Sequence, residues 1–240
     1  MVVLALETST RAGSVALLDG EICRTHVGDR TRTHAERLPG ELLDLLASQG
    51  RAVADVDVLA VITGPGSFTG LRVGLAAVQG LAMARALRVV PVPTLDAMAQ
   101  ARLWARADPS PITVVACLDG HRGELFAAAW RARPGQALTD ADLVLTPRVS
   151  TPASLVAAVQ ALPAPVVAVL AGDQTPALLG GLDDRVARVD LPMTLAEVAA
   201  RVAARDPDRG VAPHALQPIY LRRPDAELAR ERAAAIPPRP

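Results

Sequence analysis

The sequence contains no lysine, so all 25 of its Lys and Arg positions are arginine. A P-loop needs a lysine on the nucleotide phosphates, and Schiff-base or pyridoxal chemistry needs a lysine amine. Both kinds of site are therefore excluded. The 25 arginines are balanced by 25 acidic residues, and this zero net charge does not indicate a protein that binds nucleic acid tightly by itself.

Cysteine is also scarce. Cys23 and Cys117 lie far apart in apolar runs, and we expect buried free thiols, with a disulfide as the alternative. No uninterrupted apolar run has the length of a membrane span. The apolar run at the N-terminus ends at Glu7 and is therefore too short for a signal peptide. We therefore expect no membrane association and a reducing, cytoplasmic location.

Metal-binding histidine pairs are missing as well. No two of the four histidines are spaced four residues apart, so no helix is predicted to present a two-histidine metal face. We therefore expect no metal site. The histidines are His26, His34, His121 and His214.

Apolar runs begin at the N-terminus and predict strands. A run at 2–6 is followed by two more at 14–18 and 22–27, which flank Asp19-Gly20. An Asp-Gly pair between two such runs is a strong β-hairpin signal. The first part of the chain is therefore predicted to form a strand and a hairpin.

Helices are predicted after the hairpin. Thr33 and Glu36 fit a capping box, and the helix that they begin extends to Gly50. Another helix is predicted from Thr94, as its cap, to about Ala107. The first helix has leucines at helical spacing, and these are Leu38, Leu42, Leu45 and Leu46.

The opening of the chain recurs after a break at 108–111. The first half begins with a strand, the acid Glu7, a turn and a strand, and the second begins with a strand at 112–118, Asp119, a turn and a strand. This weak duplication predicts two α/β halves with mixed sheets flanked by helices, and a cleft that both acids face. The predicted divisions are an N-terminal half at 1–107, a C-terminal half at 112–225 and a flexible tail at 226–240.

A glycine-rich loop follows the strand that ends at Ile62. The sequence from 63 to 72 is TGPGSFTGLR, and it leads into an apolar helix. Such a strand-to-helix junction directs backbone N–H groups toward an anion or toward a polar edge of a partner. The alternative is that the glycines only shape the turn. The candidate residues of this glycine loop are Gly64, Pro65, Gly66, Ser67, Thr69, Gly70 and Arg72.

The helix after the loop, at 71–87, has large apolar side chains on one side and mostly small residues on much of the rest. A helix that is apolar most of the way round is covered on more than one side, either by its own fold or by a partner. We favour a partner, and we expect homodimerisation through this helix when no other partner is present. The predicted interface residues are Leu71, Gly74, Leu75, Val78, Leu81 and Ala82.

Together these motifs resemble the TsaB (YeaZ) family, a branch of the actin/sugar kinase/Hsp70 group. The resemblance covers the chain to about Asp225 and implies a duplicated actin-like ATPase (ribonuclease H-like) fold. Two departures lie at the expected cleft: Glu7 where the family more often has Asp, and Gly120-His121 where it has Ala-Arg. The matching stretches are 4–10, 14–17, 34–38, 64–74, 122–127 and 218–222.

This resemblance implies a role in forming N6-threonylcarbamoyladenosine at position 37 of tRNA. In the family the chemistry belongs to a paralogous subunit, TsaD, and an ATPase, TsaE, joins the pair. TsaB pairs with TsaD through its N-terminal half and is regarded as a non-catalytic scaffold. The resemblance therefore implies no cofactor of its own, with ATP and metal on the partner subunits, and contact with tRNA only through the complex.

The expected cleft contains the remaining candidates. An ion-pair cluster of Asp119, Arg122 and Glu124 is as plausible as a ligand site, and Glu7 is expected to anchor its turn rather than to orient a metal-bound water. Two enzyme alternatives stay open: a metal-dependent hydrolase or protease, and an ATP-binding kinase or ATPase of the same fold. The cleft candidates are Glu7, Thr8, Ser9, Asp119, Arg122 and Glu124.

Overall fold

Two five-stranded sheets of the same topology form the framework of the computed structural model. It describes residues 1–172, 175, 180–182 and 186–222, and the predicted tail at 226–240 lies outside them. The first sheet has the order β3-β2-β1-β4-β5 and the second has the order β8-β7-β6-β9-β10. The strands of the first sheet are β1 Val2–Glu7, β2 Ser14–Asp19, β3 Ile22–Val27, β4 Val58–Ile62 and β5 Val89–Val92. Those of the second are β6 Ile112–Asp119, β7 Leu125–Ala132, β8 Leu143–Ser150, β9 Val166–Ala171 and β10 Val186–Asp190.

Strands β1 and β6 occupy the same position in their sheets. Each lies at the centre, antiparallel to the strand that follows it and parallel to a later one, β4 or β9. Both sheets are therefore mixed, as the repeated strand, acid and turn predicted. The duplicated actin-like fold is confirmed.

Five helices pack on these sheets in the part of the chain that the structure describes. Four short 3-10 turns lie between the larger elements, at Val53–Asp55, Asp140–Asp142, Pro207–Arg209 and Pro213–Ala215. None of the five helices is both long enough and apolar enough to cross a membrane. They are α1 His34–Ser48, α2 Phe68–Arg85, α3 Thr94–Trp104, α4 Pro152–Gln160 and α5 Leu195–Arg205.

The helix boundaries agree with most of the local signals. The Thr33 N–H donates to the Glu36 carboxylate at 2.8 Å, as the capping box predicted. Thr94 is the first residue of α3 and Pro93 is its N-cap, and the helix ends at Trp104, before the expected 107. Helices α4 and α5 and strands β8 and β10 had not been predicted.

The central layer of the molecule is a pair of helices between the two sheets. Helix α3 belongs to the first half but packs on β6 and β7, and α5 belongs to the second half but packs on β1, β2 and β4. Both helices are rich in buried alanine, which lets the sheets approach from either side. The break at 108–111 lies between α3 and β6, and the apolar core continues across it.

Helix α2 packs on the outer face of the first sheet, together with α1. Leu4, Leu6 and Val61 of the sheet face this pair of helices, which cover their apolar side chains. The apolar side of α2 therefore packs on its own sheet. This corrects the predicted interface: Leu71, Gly74, Leu75, Val78 and Ala82 are all buried within the chain, and Leu81 is half-buried.

The two cysteines are unpaired. Cys117 is buried in β6, where burial raises the pKa of its thiol to about 12, and Cys23 is half-buried in β3. The expectation of free thiols is confirmed, although Cys23 is less buried than expected. A thiol with such a raised pKa is rarely ionised at neutral pH and is chemically inert.

Val78→Arg should unfold or severely destabilise the chain. Val78 is fully buried, and an unpaired charge at such a position costs at least about 3–5 kcal/mol. Gly80→Arg is the matched control, because a Cβ at Gly80 would have no described atom within 4 Å beyond its own stretch of helix and any residue but proline improves on glycine inside a helix. Urea denaturation of both variants checks this. Equal stability of the two variants would contradict the assignment of Val78 to the core.

Candidate functional site

A cleft of about 760 Å³ lies between the two halves, at the ends of β1 and β6. It is bounded by the turn after β1, the loop before α1, the first turns of α1 and α2, and the ends of β6 and β9. The lining residues are 9–12, 30–35, Ser67, Thr69, Gly70, Val73, Leu118, Asp119, His121, Ala171, Gly172 and Leu191.

Of the six predicted cleft residues, only Ser9 and Asp119 line this cleft. Glu7 lies beneath it and is 3% exposed, so the expectation that both acids face the cleft is wrong for Glu7. The Thr8 side chain turns toward α2 instead, against Gly74, and its hydroxyl has no hydrogen-bond partner. Because β1 ends at Glu7, Thr8 and Ser9 lie in the turn, where their side chains need not follow the alternation of the strand.

Both oxygens of the Glu7 carboxylate accept hydrogen bonds from the residues that follow β1. Oε1 accepts from the Ser9 hydroxyl at 2.8 Å and from the Thr10 N–H at 2.7 Å. Oε2 accepts from the hydroxyls of Thr10 and Ser14 at 3.0 Å and 3.3 Å. A buried carboxylate with four donors has little accepting capacity left, so Glu7 anchors the turn, as expected.

The glycine loop packs directly on that turn. The Ser67 N–H donates to the Ser9 carbonyl at 2.8 Å, and the Ser67 hydroxyl accepts from the Gly70 N–H at the start of α2. A Cβ on Gly66 would lie 2.5 Å from the Ser9 Cβ, and one on Gly70 would lie 2.1 Å from the Thr8 carbonyl oxygen. These contacts favour the alternative interpretation, in which the glycines permit close packing within the chain.

The last described segment also contacts the glycine loop. The Ile219 N–H donates to the Thr63 carbonyl at 2.7 Å, and a Cβ on Gly64 would lie 2.5 Å from the Ile219 carbonyl oxygen. The Arg72 guanidinium donates to the Tyr220 hydroxyl at 3.3 Å. The loop is therefore enclosed by two parts of the chain, the turn after β1 and this C-terminal segment.

Asp119 and Glu124, the two candidate acids of the second half, have partners that were not predicted. Asp119 accepts the His121 N–H at 2.8 Å. Glu124 forms an ion pair with Arg222, which also donates to the Gly120 carbonyl at 2.9 Å. The partner of Glu124 is therefore a residue 98 positions away that the predicted cluster did not include. Arg222 lies in the stretch 218–222, whose resemblance to the family was the only sequence signal for it.

The charge of the cleft is mainly positive. Arg11, Arg30 and Arg32 line it, Asp119 is the one acid among its described lining residues, and the first turns of two helices add their partial positive charge. The sequence did not predict these three arginines as cleft residues, because no local pattern indicates that their side chains lie close together. The arrangement suits an anion. Within the described residues there is no group of three histidine, cysteine or acidic side chains that could hold a metal ion.

A buried network joins α1 to the turn after β1. The His34 Nε2 lies 3.0 Å from the Thr10 carbonyl, and Arg37 lies 2.8 Å from the His34 Nδ1. Arg37 also donates to Glu41 at 2.7 Å. Because the guanidinium can only donate, Nδ1 accepts and the proton is on Nε2. Burial first, and then the Arg37 charge, hold the pKa of His34 below its ordinary value.

Glu7→Gln should destabilise the chain by about 1–3 kcal/mol. Whichever carboxylate oxygen becomes an amide NH2, two of the four donors lose an acceptor. Urea denaturation measures the change. Glu21→Gln, at an exposed hairpin position, is the control and should stay within about 0.5 kcal/mol of the native chain. An unchanged stability of Glu7→Gln would show that the turn does not depend on its carboxylate.

The free energy of unfolding should fall as pH is lowered from about 7 to about 5.5, partly because of His34. The pKa of His34 in the folded chain lies below that of an unperturbed histidine, so the unfolded chain takes up the proton first and stability is lost on acidification. The contribution should stay below about 1 kcal/mol, because solvent screens a half-buried group. Urea denaturation across this range should show a flatter profile for His34→Gln, whereas His214→Gln, at an exposed position, should keep the native one.

A family model described as "TsaD: tRNA N6-adenosine threonylcarbamoyltransferase" matches residues 29–173, more than half of the chain. The tRNA threonylcarbamoyladenosine biosynthesis protein TsaB of Haemophilus influenzae is 43% identical over 128 residues, which are 52% of this chain and 52% of that protein. The protein of that name from Escherichia coli is 36% identical over 55% of each chain. The chain thus spans about half the length of these two relatives.

Longer matches agree with these. An uncharacterized protein of Mycobacterium tuberculosis is 32% identical over 94% of this chain and 93% of its own length. Among solved structures, YeaZ from Pseudomonas aeruginosa has a TM-score of 0.70 and 28% identity, with 92% of this chain and 99% of that chain covered. The family model, the relatives and the shared fold together show that the chain belongs to the TsaB (YeaZ) family.

Proposed function

We propose that the chain is a non-catalytic accessory subunit in the synthesis of tRNA N6-threonylcarbamoyladenosine. In this proposal it pairs with a TsaD-like catalytic subunit in the cytoplasm, and a TsaE-like ATPase joins the pair. The chain contacts tRNA only as part of this complex. The names of the H. influenzae and E. coli relatives support the process. The family model, which is named for the transferase itself, supports the partner.

The geometry of Glu7 carries the non-catalytic part of the proposal. An acid at the end of the first strand is the group that this fold would use to orient a water or a metal ion. Here its two oxygens accept three hydrogen bonds from the turn that follows and one from Ser14 at the start of β2, and the side chain lies beneath the cleft rather than in it. Glu7 therefore acts on the position of the glycine loop, which packs on that same turn.

The surface offered to a partner is the solvent face of α2, which is distinct from the buried face predicted from the sequence. It presents Ala76, Gly80 and Met83, and the Met83 side chain is 74% exposed. Leu43 of the neighbouring α1 is 57% exposed. Small side chains let another helix approach closely, and exposed Leu and Met add apolar area. We propose that a second copy of the chain and the TsaD-like subunit compete for this face.

Each of the two enzyme alternatives is supported by one observation. The cleft favours an ATP-binding enzyme, since arginines and helix N-termini line it. A peptidase is the other alternative, because a P. aeruginosa protein described as similar to peptidase YEAZ is 29% identical to this chain, with a TM-score of 0.73. Under the accessory proposal, the isolated chain hydrolyses neither ATP nor peptide substrates. Turnover that is lost in an Arg32→Gln variant would favour the enzyme instead.

Gly80→Arg should abolish pairing with the TsaD-like subunit and lower tRNA modification at least tenfold, while the chain stays folded. A Cβ at this position would have no described atom within 4 Å beyond its own stretch of helix, but an arginine would hold a partner helix away. Ala157→Arg on α4 is the matched control, since it adds the same side chain at an exposed alanine of another helix. Co-purification and a reconstituted modification assay give the measurements.

The two parts of the proposal fail separately in this experiment. If Gly80→Arg still pairs and supports full modification, the partner surface lies elsewhere, while the accessory role stands. If the native chain neither pairs with the TsaD-like subunit nor stimulates modification, the proposed function itself is wrong.

A further inference from the structure

Strand β3 forms an open edge of the first sheet. It pairs with β2 on one side and with no described strand on the other. Five of its six residues are exposed, and Cys23 is half-buried. An open strand edge pairs readily with a further strand, so natural proteins usually protect such an edge.

Two other sheet edges of the chain have such protection. Beside β5, Val89 and Val211 donate their N–H groups to each other's carbonyl at 3.0 Å and 2.8 Å. Strand β8 contains Pro147, and its pairing with β7 is irregular in register, and both features discourage a further strand. Strand β3 has no proline and pairs regularly with β2 along all six residues.

One hydrogen bond shows which backbone groups of β3 point away from β2. The N–H of Gly28, directly after β3, donates to the Gly13 carbonyl beside β2 at 3.3 Å. Successive residues of an antiparallel strand direct their backbone groups to opposite sides. Cys23, Thr25 and Val27 therefore direct their N–H and carbonyl groups outward, where another strand can bind them.

A second copy of β3 fits this edge in one favoured register. If Thr25 lies opposite its own copy on a two-fold axis, Cys23 lies opposite Val27, and all the outward backbone groups find partners. Opposite residues then also lie on the same face of the sheet, as strand pairing requires. If Arg24 lay on the axis instead, two like charges would meet directly, which destabilises a strand pair.

The groove beside β3 gives the same register complementary charges. A cavity of about 330 Å³ between β3 and α1 is lined by Arg24, His26, Glu41 and Asp44, among others. Glu41 is paired with Arg37, whereas neither Arg24 nor Asp44 forms an ion pair with a described residue. In the favoured register, Arg24 of one copy lies opposite His26 of the other. Its guanidinium would therefore lie beside the groove that contains Asp44 of the other copy.

We propose that two copies of the chain join through β3 and make one continuous sheet of their two first sheets. The two Thr25 residues lie on the two-fold axis, and Arg24 of each copy pairs with Asp44 of the other. The solvent face of α2 stays free, because α2 packs mainly on β1 and β4. The inference does not depend on the accessory role proposed above, because it rests only on β3 and α1.

Sedimentation velocity of the Gly80→Arg chain tests this proposal, because that substitution is designed to close the α2 face. We expect a dimer, and in Thr25→Pro made on this background its dissociation constant should rise about tenfold or more. Proline removes the outward N–H on the axis but leaves the hydrogen bonds to β2 intact. Thr25→Val keeps that N–H, so it is the matched control and should dimerise like the parent chain.

A charge exchange on the same background tests the register. Arg24→Asp and Asp44→Arg should each raise the dissociation constant about fivefold, because each places like charges across the interface. The variant that carries both substitutions should regain the parent affinity, since opposite charges meet again. Arg148→Asp is the control and should have no effect, because it changes an exposed arginine of another edge strand, β8.

Three results would overturn the proposal. The Gly80→Arg chain could stay monomeric up to about 100 µM, or Thr25→Pro could dimerise like the parent chain. The doubly exchanged variant could also associate no better than the two single variants. Should urea denaturation show that Thr25→Pro is unfolded, the charge exchange decides instead.

Discussion

The alanine-rich helix pair between the two sheets is the constraint on which the architecture depends. Helices α3 and α5 each pack against the sheet of the opposite half, and their buried alanines leave room for a sheet on both sides. Because the pair joins the halves through one apolar core, the ends of β1 and β6 are held on either side of a cleft. The relative position of the two walls of that cleft follows from this packing.

Beneath and around the cleft, polar groups form hydrogen bonds within the chain itself. The Glu7 carboxylate holds the turn after β1, the turn receives the glycine loop through Ser9 and Ser67, and the Ile219 backbone encloses the loop from the other side. Close backbone packing needs glycine where a Cβ would meet another chain segment. The glycine loop therefore makes close contacts within the chain itself.

The C-terminal segment links the halves a second time. Tyr220 contacts Phe68 at the start of α2, and two residues later Arg222 binds Glu124 and the Gly120 carbonyl in the turn after β6. Both contacts join residues that are far apart in the sequence. The same segment lines a cavity together with the glycine loop and the turn after β6, so the cavity exists only when both halves are docked.

The sequence alone determined the features that depend on neighbouring residues: the hairpin at Asp19-Gly20, the capping box of α1, the glycine loop and the repeated opening of each half. Their signals are local turn chemistry and side-chain periodicity. Only the tertiary structure decided which side of α2 is buried, because a helix that is apolar most of the way round does not specify which side its own sheet covers. It also decided that Glu124 pairs with Arg222 and that the Tyr220 ring packs on Phe68, since those contacts join distant segments whose docking no local pattern encodes.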